Sequence, residues 1–254
     1  PGRTMTPALE DAPVRIQKYL SRTGVVSRRE AERLLIQGRI RVNGEVVTTP
    51  GTKVRPGRDR VEVDGEVVEE SPTRWVLFHK PPGILTTRDD PGGRRTVYDS
   101  LPAALEGLRY VGRLDRATEG LLLLTNDGDM LHRLTHPSFE VDREYRVRVE
   151  GTPSREALER LKKGVELEDG LARAHDVRIL ERRREGTLLS LVLREGRKRE
   201  VRRLLEAVGH PVTQLQRVRF GPVRLGELPA GDWRELNDHE IRALKERVRQ
   251  EETS

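Results

Sequence analysis

Gly112-Arg113-Leu114-Asp115-Arg116-Ala117-Thr118-Glu119-Gly120-Leu121-Leu122-Leu123-Leu124-Thr125-Asn126-Asp127-Gly128 is the stretch on which the reading of this chain turns. Four consecutive leucines bounded by glycine on one side and Asn-Asp-Gly on the other are too few for a helix and suit a buried strand that ends in a turn. Asp115 stands among basic residues just before that strand, and two readings of it are open. Its carboxylate could cap a short turn. Alternatively, the charges of Arg113 and Arg116 keep it ionised and draw phosphate towards it, which is the setting a carboxylate nucleophile needs.

Strand and helix signals continue on both sides. Trp75-Val76-Leu77-Phe78 is an apolar strand stopped by Pro81-Pro82-Gly83, and Tyr145, Val147 and Val149 alternate with charged residues on a later one. Further strands are predicted at 171–180, 187–193 and 212–220. Helices are predicted at 128–135, 198–208, 238–248 and 153–163, the last with Pro153 at its first position and Gly164 after its end. Strands and helices do not alternate strictly. Residues 74–250 therefore read as an α+β domain with a mainly antiparallel or mixed sheet flanked by helices, not a doubly wound parallel one.

A smaller unit precedes it. Residues 1–13 mix Pro, Thr and acidic residues without periodicity and read as a flexible tail. From Val14, the residues Ile16, Tyr19 and Leu20 fall at helical spacing up to Gly24, and Ser27-Arg28-Arg29-Glu30 writes a capping box for a second helix that Gly38 closes. Arg39-Ile40-Arg41-Val42 alternates as a strand, Asn43-Gly44 is a hairpin signal, and Glu45-Val46-Val47 returns; Val61-Glu62-Val63 and Asp64-Gly65 repeat the pattern. The unit 14–68 is two short helices feeding a small sheet, and 69–73, within an acidic stretch that contains Ser71-Pro72, is the linker. Between residues 14 and 42, eight basic side chains (Arg15, Lys18, Arg22, Arg28, Arg29, Arg33, Arg39, Arg41) face two acidic ones, Glu30 and Glu32. Such an imbalance on short helices fits a face that tracks phosphates.

The whole chain carries a net charge of +6, which favours an acidic polymer as partner. It has no cysteine, so thiolate nucleophiles, disulfides and cysteine-held metals are excluded. His132 and His136 are four apart on a predicted helix but lack a His-Glu-x-x-His motif or a third ligand, and Gly92-Gly93 lacks the rest of a phosphate loop. No metal or cofactor is expected. No apolar stretch approaches the ~20 residues needed to span a bilayer, and the expected location is the cytoplasm.

Two resemblances sharpen this. The segment with Arg15-Ile16-Gln17-Lys18-Tyr19-Leu20, Ser27-Arg28-Arg29-Glu30-Ala31-Glu32 and Arg41-Val42-Asn43-Gly44 resembles the S-four RNA-binding domain. Gly112-Arg113-Leu114-Asp115 followed by Thr118-x-Gly120-Leu121-Leu122-Leu123-Leu124-Thr125 resembles the signature of the pseudouridine synthases of the ribosomal small-subunit-type subfamily. Supporting motifs are His79-Lys80-Pro81-Pro82-Gly83, Glu144-Tyr145, and Glu195 to Leu204. The resemblance implies isomerisation of a uridine in ribosomal RNA without a cofactor, by an enzyme expected to be monomeric. Asp115 would be nucleophile or base, Tyr145 the residue stacking on the target base, and Arg197 the ion-pair partner of Asp115, with Lys198 as its rival. Arg15, Lys18, Arg28, Arg29, Arg33, Arg39, Arg113, Arg116, Lys198 and Arg202 are the expected RNA contacts. The loop Thr87 to Asp99 is most similar to that of members acting on 23S RNA of the large subunit; 16S RNA, or a non-catalytic ribosome-assembly role, is the alternative.

Overall fold

In the computed structural model, residues 12–23, 25–69 and 72–252 are described. They form two compact units that divide between Arg74 and Trp75, with the turn at 126–128 grouped with the first.

The first unit runs β1 (Val14–Arg15), α1 (Ile16–Arg22), α2 (Arg28–Ile36), β2 (Ile40–Val42), β3 (Glu45–Val46), β4 (Lys53–Val54), β5 (Val61–Val63) and β6 (Glu66–Val67). Ser27 caps α2 by accepting from Glu30 N–H at 3.1 Å, as the sequence predicts. The Glu30 carboxylate, expected to complete the box, instead takes the Arg33 guanidinium at 2.6 Å, because charge attraction one turn away outcompetes a bond to a backbone amide. Asn43 and Gly44 both have positive φ, 54° and 87°, which is the two-residue turn that the twist of a hairpin selects. β3-β2-β5-β6 is the resulting sheet, and Ile16, Leu20, Leu34, Leu35, Ile40 and Val61 form the core beneath it. Val68 closes the unit, its carbonyl accepting from the buried Tyr19 hydroxyl at 2.9 Å. Gly24, expected to end the first helix, and part of the expected linker, Glu70 and Ser71, lie outside the described residues; α1 itself ends at Arg22.

The second unit comprises β7 (Trp75–Lys80), β8 (Arg109–Val111), β9 (Glu119–Thr125), α3 (Gly128–Thr135), β10 (Arg143–Val149), α4 (Arg155–Lys163), β11 (Val165–Leu167), β12 (Gly170–Ala172), β13 (Asp176–Arg183), β14 (Gly186–Leu193), α5 (Glu200–Ala207), β15 (Val212–Phe220), β16 (Val223–Arg224), β17 (Trp233–Glu235) and α6 (Asp238–Glu252). Nine strands make one mixed sheet in the order β13-β14-β10-β15-β9-β7-β17, with β16 beside β15 and β8 beside β9. Its one parallel pairing joins β15 to β9. The leucine run of β9 is buried on both faces: Leu122 and Leu124 join the core that includes Leu204 of α5, and Leu121 and Leu123 the core that includes Met130 of α3 and Leu244 of α6. That is why the run is continuous instead of alternating.

Three predicted boundaries move. α4 starts at Arg155, not at Pro153, because Ser154 caps it by accepting from Ala157 N–H at 3.1 Å. The expected strand 171–180 breaks into β12 and β13, and the helix expected from residue 198 starts at Glu200, since Arg199 adopts the left-handed conformation.

Candidate active site

Asp115 lies on the connection between β8 and β9, and its neighbours are pinned one by one. Lys80, fully buried at the end of β7, donates to the carbonyls of Thr118 at 2.8 Å, Pro81 at 3.0 Å and Arg116 at 3.4 Å. Arg116 O also accepts from Gly83 N–H at 2.7 Å, and Arg116 Nε donates back to Gly83 O at 3.0 Å. The Thr86 hydroxyl donates to Leu114 O at 2.8 Å and accepts from Leu114 N–H at 3.3 Å. Thr118 N–H closes the turn on Asp115 O at 2.9 Å. Two residues later the backbone of Gly120 runs so close to β15 that a Cβ there would stand 2.2 Å from Arg217 O, so only glycine permits the loop to enter the sheet here.

The Asp115 carboxylate itself makes no hydrogen bond or ion pair among the described residues, so it is not the turn cap that one reading of the sequence offered. Half-buried, it lines a cleft of about 300 Å³ together with Tyr145, Leu215 and Arg217 from the sheet and residues 195–201 from the loop before α5 and its first turn. That volume lies at the small end of ligand pockets and suits one planar base. Tyr145 projects from β10, opposite Leu191 and Arg217, and is only 9% exposed.

Arg197 lines the same cleft but does not reach Asp115. Its guanidinium bonds Glu195 at 2.6 Å and the carbonyls of Leu171, Gly170 and Asp169 at 2.9, 3.1 and 3.2 Å, which braces the loop before α5 against the β11–β12 hairpin. The expected Asp115–Arg197 pair is therefore not made: four nearer acceptors hold the guanidinium. Lys198, the rival, is exposed and has no hydrogen bond or ion pair among the described residues. The Asp115 charge acts on Lys80 and on Arg202. Burial pushes the Lys80 ammonium down to about 8, with the charges of Asp115 and Glu119 opposing the fall. Burial likewise lowers Arg202, as does its neighbour Arg199, while Asp115 raises it. Arg202, on α5, donates to Val212 O at 3.2 Å and Ala117 O at 3.3 Å, and its buried Nε has no partner among the described residues.

Of the remaining expected RNA contacts, Arg113 and Arg116 are exposed on the Asp115 loop, and Arg113 lines the cleft. In the first unit Arg15, Arg28, Arg29, Arg33 and Arg39 are exposed and Lys18 is half-buried. Arg39 forms a two-pronged pair with Asp64 at 2.6 Å on each arm. His132 and His136 stack ring against ring at 5.5 Å, and His136 caps the turn at Pro137; no group of three potential metal ligands occurs among the described residues.

A family model described as RNA pseudouridylate synthase matches residues 74–207, the stretch that holds Asp115, Tyr145 and Arg202. The chain belongs to that family. An S4 domain model matches residues 14–59 of the synthase, the basic helices and their hairpin. A protein of Aquifex aeolicus named uncharacterized RNA pseudouridine synthase is 46% identical over 232 residues, covering 91% of this chain and 93% of its own. The ribosomal large subunit pseudouridine synthase B of Bacillus subtilis is 40% identical over 233 residues, covering 91% and 95%. A solved structure, a crystal structure of pseudouridylate synthase, aligns with a TM-score of 0.64 at 27% identity, over 91% of this chain and 99% of that one. No described helix of the synthase is long and apolar enough to cross a membrane.

Four buried charged residues of this cleft and its loop had no role in the sequence reading: Lys80, Arg143, Glu200 and Arg217. A lysine closing an otherwise apolar strand was a usable signal for the first. Arg217 had none, since β15 carries Gln214, Gln216 and Arg219 as well and reads as half-exposed.

Proposed function

We propose that this synthase converts a uridine of 23S ribosomal RNA to pseudouridine without a cofactor, working as a monomer in the cytoplasm, with Asp115 as the acting carboxylate. The observation that carries this reading is a single one: Leu114 and Arg116 on either side of Asp115 are hydrogen-bonded in place while its own carboxylate stays uncommitted, among the described residues, in a cleft of base size. A carboxylate acting as a turn cap would accept from a backbone N–H, and this one does not. The 23S assignment draws on the relatives named for the large subunit and on the loop from Thr87 to Asp99.

The reaction breaks the bond from ribose C1′ to uracil N1 and makes one from C1′ to C5; the proton leaves C5 and N1 gains one, so no atom is added overall. An ionised carboxylate serves as nucleophile or as base. A uridine inside folded RNA has to leave its stack to reach it. Tyr145 offers that base an aromatic face, Arg202 adds positive charge in the neighbourhood of Asp115, and the three-point anchor at Lys80 keeps the Asp115 loop placed. Arg197 acts one step away, by setting the loop before α5. Arg15, Lys18, Arg28, Arg29, Arg33 and Arg39 supply phosphate contacts from the S4 domain, and Arg113, Arg116 and Lys198 do so at the rim.

Purified protein incubated with unmodified 23S and 16S transcripts, followed by pseudouridine mapping at single-nucleotide resolution, tests this. One new position in 23S RNA is expected. A position in 16S RNA would overturn the substrate, and none in either would overturn the activity on free ribosomal RNA.

A further inference from the structure

Glu200 and Arg217 both line the Asp115 cleft, are 4% and 2% exposed, and each presents one buried polar atom with no partner among the described residues: Glu200 Oε1 and Arg217 Nη2. Buried charged groups with an unmet hydrogen bond are costly and rare, and two in one cleft ask for an explanation. Neither head is loose. Glu200 Oε2 accepts from Arg197 N–H at 3.1 Å, and Arg217 donates from Nε to Leu121 O at 2.8 Å with its guanidinium 5.2 Å from the Phe220 ring centroid. The Arg143 charge acts on both, and Tyr145 is a polar neighbour of Arg217, so both heads gather around the same few residues. Glu200 and Arg217 thus add to the cleft that Tyr145 lines one acceptor and one donor without a partner among the described residues.

Uracil presents the complement on its Watson–Crick edge: the N3–H donor between the O2 and O4 acceptors. We propose that Glu200 Oε1 accepts from uracil N3–H and Arg217 Nη2 donates to the adjoining carbonyl oxygen, which makes these two residues the readers of the target base. This rests on the reading of the Asp115 cleft as the isomerisation site. Cytosine is rejected because its N3 is an acceptor and meets the carboxylate with a lone pair. The same pair suits the turn that isomerisation requires. Half a rotation about the axis through N3 and C6 exchanges N1 with C5 and O2 with O4, and leaves N3–H where it was. A site that grips N3–H and one flanking carbonyl holds the ring equally well before and after the turn, so the detached base rotates on a fixed pivot.

The test uses the full chain and a 23S RNA fragment containing the uridine that the native protein isomerises, with uridine, cytidine or an abasic ribose at that position. Affinities are read by fluorescence anisotropy. The native protein is expected to prefer uridine over cytidine by about tenfold or more, as sites with buried hydrogen-bonding groups do. Glu200→Leu and Arg217→Met should each reduce that preference to near unity, with affinity for the abasic RNA unchanged. Glu200→Gln and Arg217→Lys, which keep an acceptor and a donor, should restore much of it. Abasic affinity also reports whether each variant is folded, and if Arg217→Met fails that check the Glu200 pair decides. Retained uridine preference in Glu200→Leu, or equal weakening for all three RNAs, would overturn base reading while the native protein's isomerisation stood untouched.

Discussion

The arginines of the two units do opposite things. In the S4 domain all but the half-buried Arg22 are exposed, and where Arg33 and Arg39 pair, with Glu30 and Asp64, they do so at the surface. Water and salt screen such pairs, so their partners exchange readily for phosphate. In the catalytic unit, Arg143 and Arg217 are 8% and 2% exposed, and their guanidiniums are fixed by backbone carbonyls: Arg143 to Arg194 O at 2.7 Å, Arg217 to Leu121 O at 2.8 Å. One set supplies a charged surface that tolerates many poses of RNA. The other holds a single arrangement at the cleft that Asp115 lines. Substitutions in the first should therefore change binding and its salt dependence, and substitutions in the second the rate on bound RNA.

The sharpest break of that contrast is at Arg202. Replacing it with Met removes a cation that acts on Asp115, and the single-turnover rate at saturating protein should fall about a hundredfold, as it does when a preorganised electrostatic partner is lost. RNA affinity should change little. A variant that binds poorly but isomerises at the native rate once bound would move Arg202 back among the phosphate contacts. Tyr145 comes next: Ala should remove stacking of roughly 1–3 kcal/mol, whereas Phe keeps the ring and most of the activity. Equal rates in the two variants would deny the stacking role.

Lys80 gives a pH-dependent test. Its ammonium fills three carbonyls around the Asp115 loop, and burial has pushed it down to about 8, so the anchor weakens as pH rises through that value. The single-turnover rate should decline there by about tenfold, the scale at which a displaced catalytic group loses rate. Unfolding would not account for this. Between about pH 8 and the ordinary lysine value of 10.5 the unfolded chain binds the proton that the folded chain has released, so this group makes the fold more stable as pH rises. A flat rate profile from pH 7 to 9.5 would contradict the anchoring role.

The smallest effect on rate belongs to the S4 domain. Arg28→Ala with Arg29→Ala should lower the slope of log affinity against log salt by about two and weaken binding severalfold, with the rate at saturation unchanged. An unchanged slope would remove these arginines from the phosphate-binding face.

The sequence disclosed what is local or periodic. The Ser27 cap, the Asn43-Gly44 hairpin and the double-sided burial hinted at by Leu121–Leu124 could be read directly, because each is determined by a few neighbouring residues. The motifs singled out Asp115 and Tyr145, and both line one cleft. The cations of the segment before α5 were harder to tell apart, since Arg197, Lys198, Arg199, Arg202 and Arg203 crowd together and only the left-handed turn at Arg199 and the start of α5 turn Arg197 to the β11–β12 hairpin. Arg217 was invisible for a different reason: its burial comes from the parallel pairing of β15 with β9, between strands about a hundred residues apart in the chain, and spacing along the chain does not encode it.

The account rests most heavily on the charge of Asp115. Asp115→Asn keeps the side chain's shape, and because the carboxylate makes no hydrogen bond or ion pair among the described residues, the melting temperature should stay close to native. The decisive measurement is single-turnover tritium release from 23S RNA labelled at uracil C5, with the variant in saturating excess and a thermal melt run beside it. Release should vanish in a folded, RNA-binding Asp115→Asn protein, because neither a nucleophile nor a base remains. Release at the native rate from that folded variant would contradict the account.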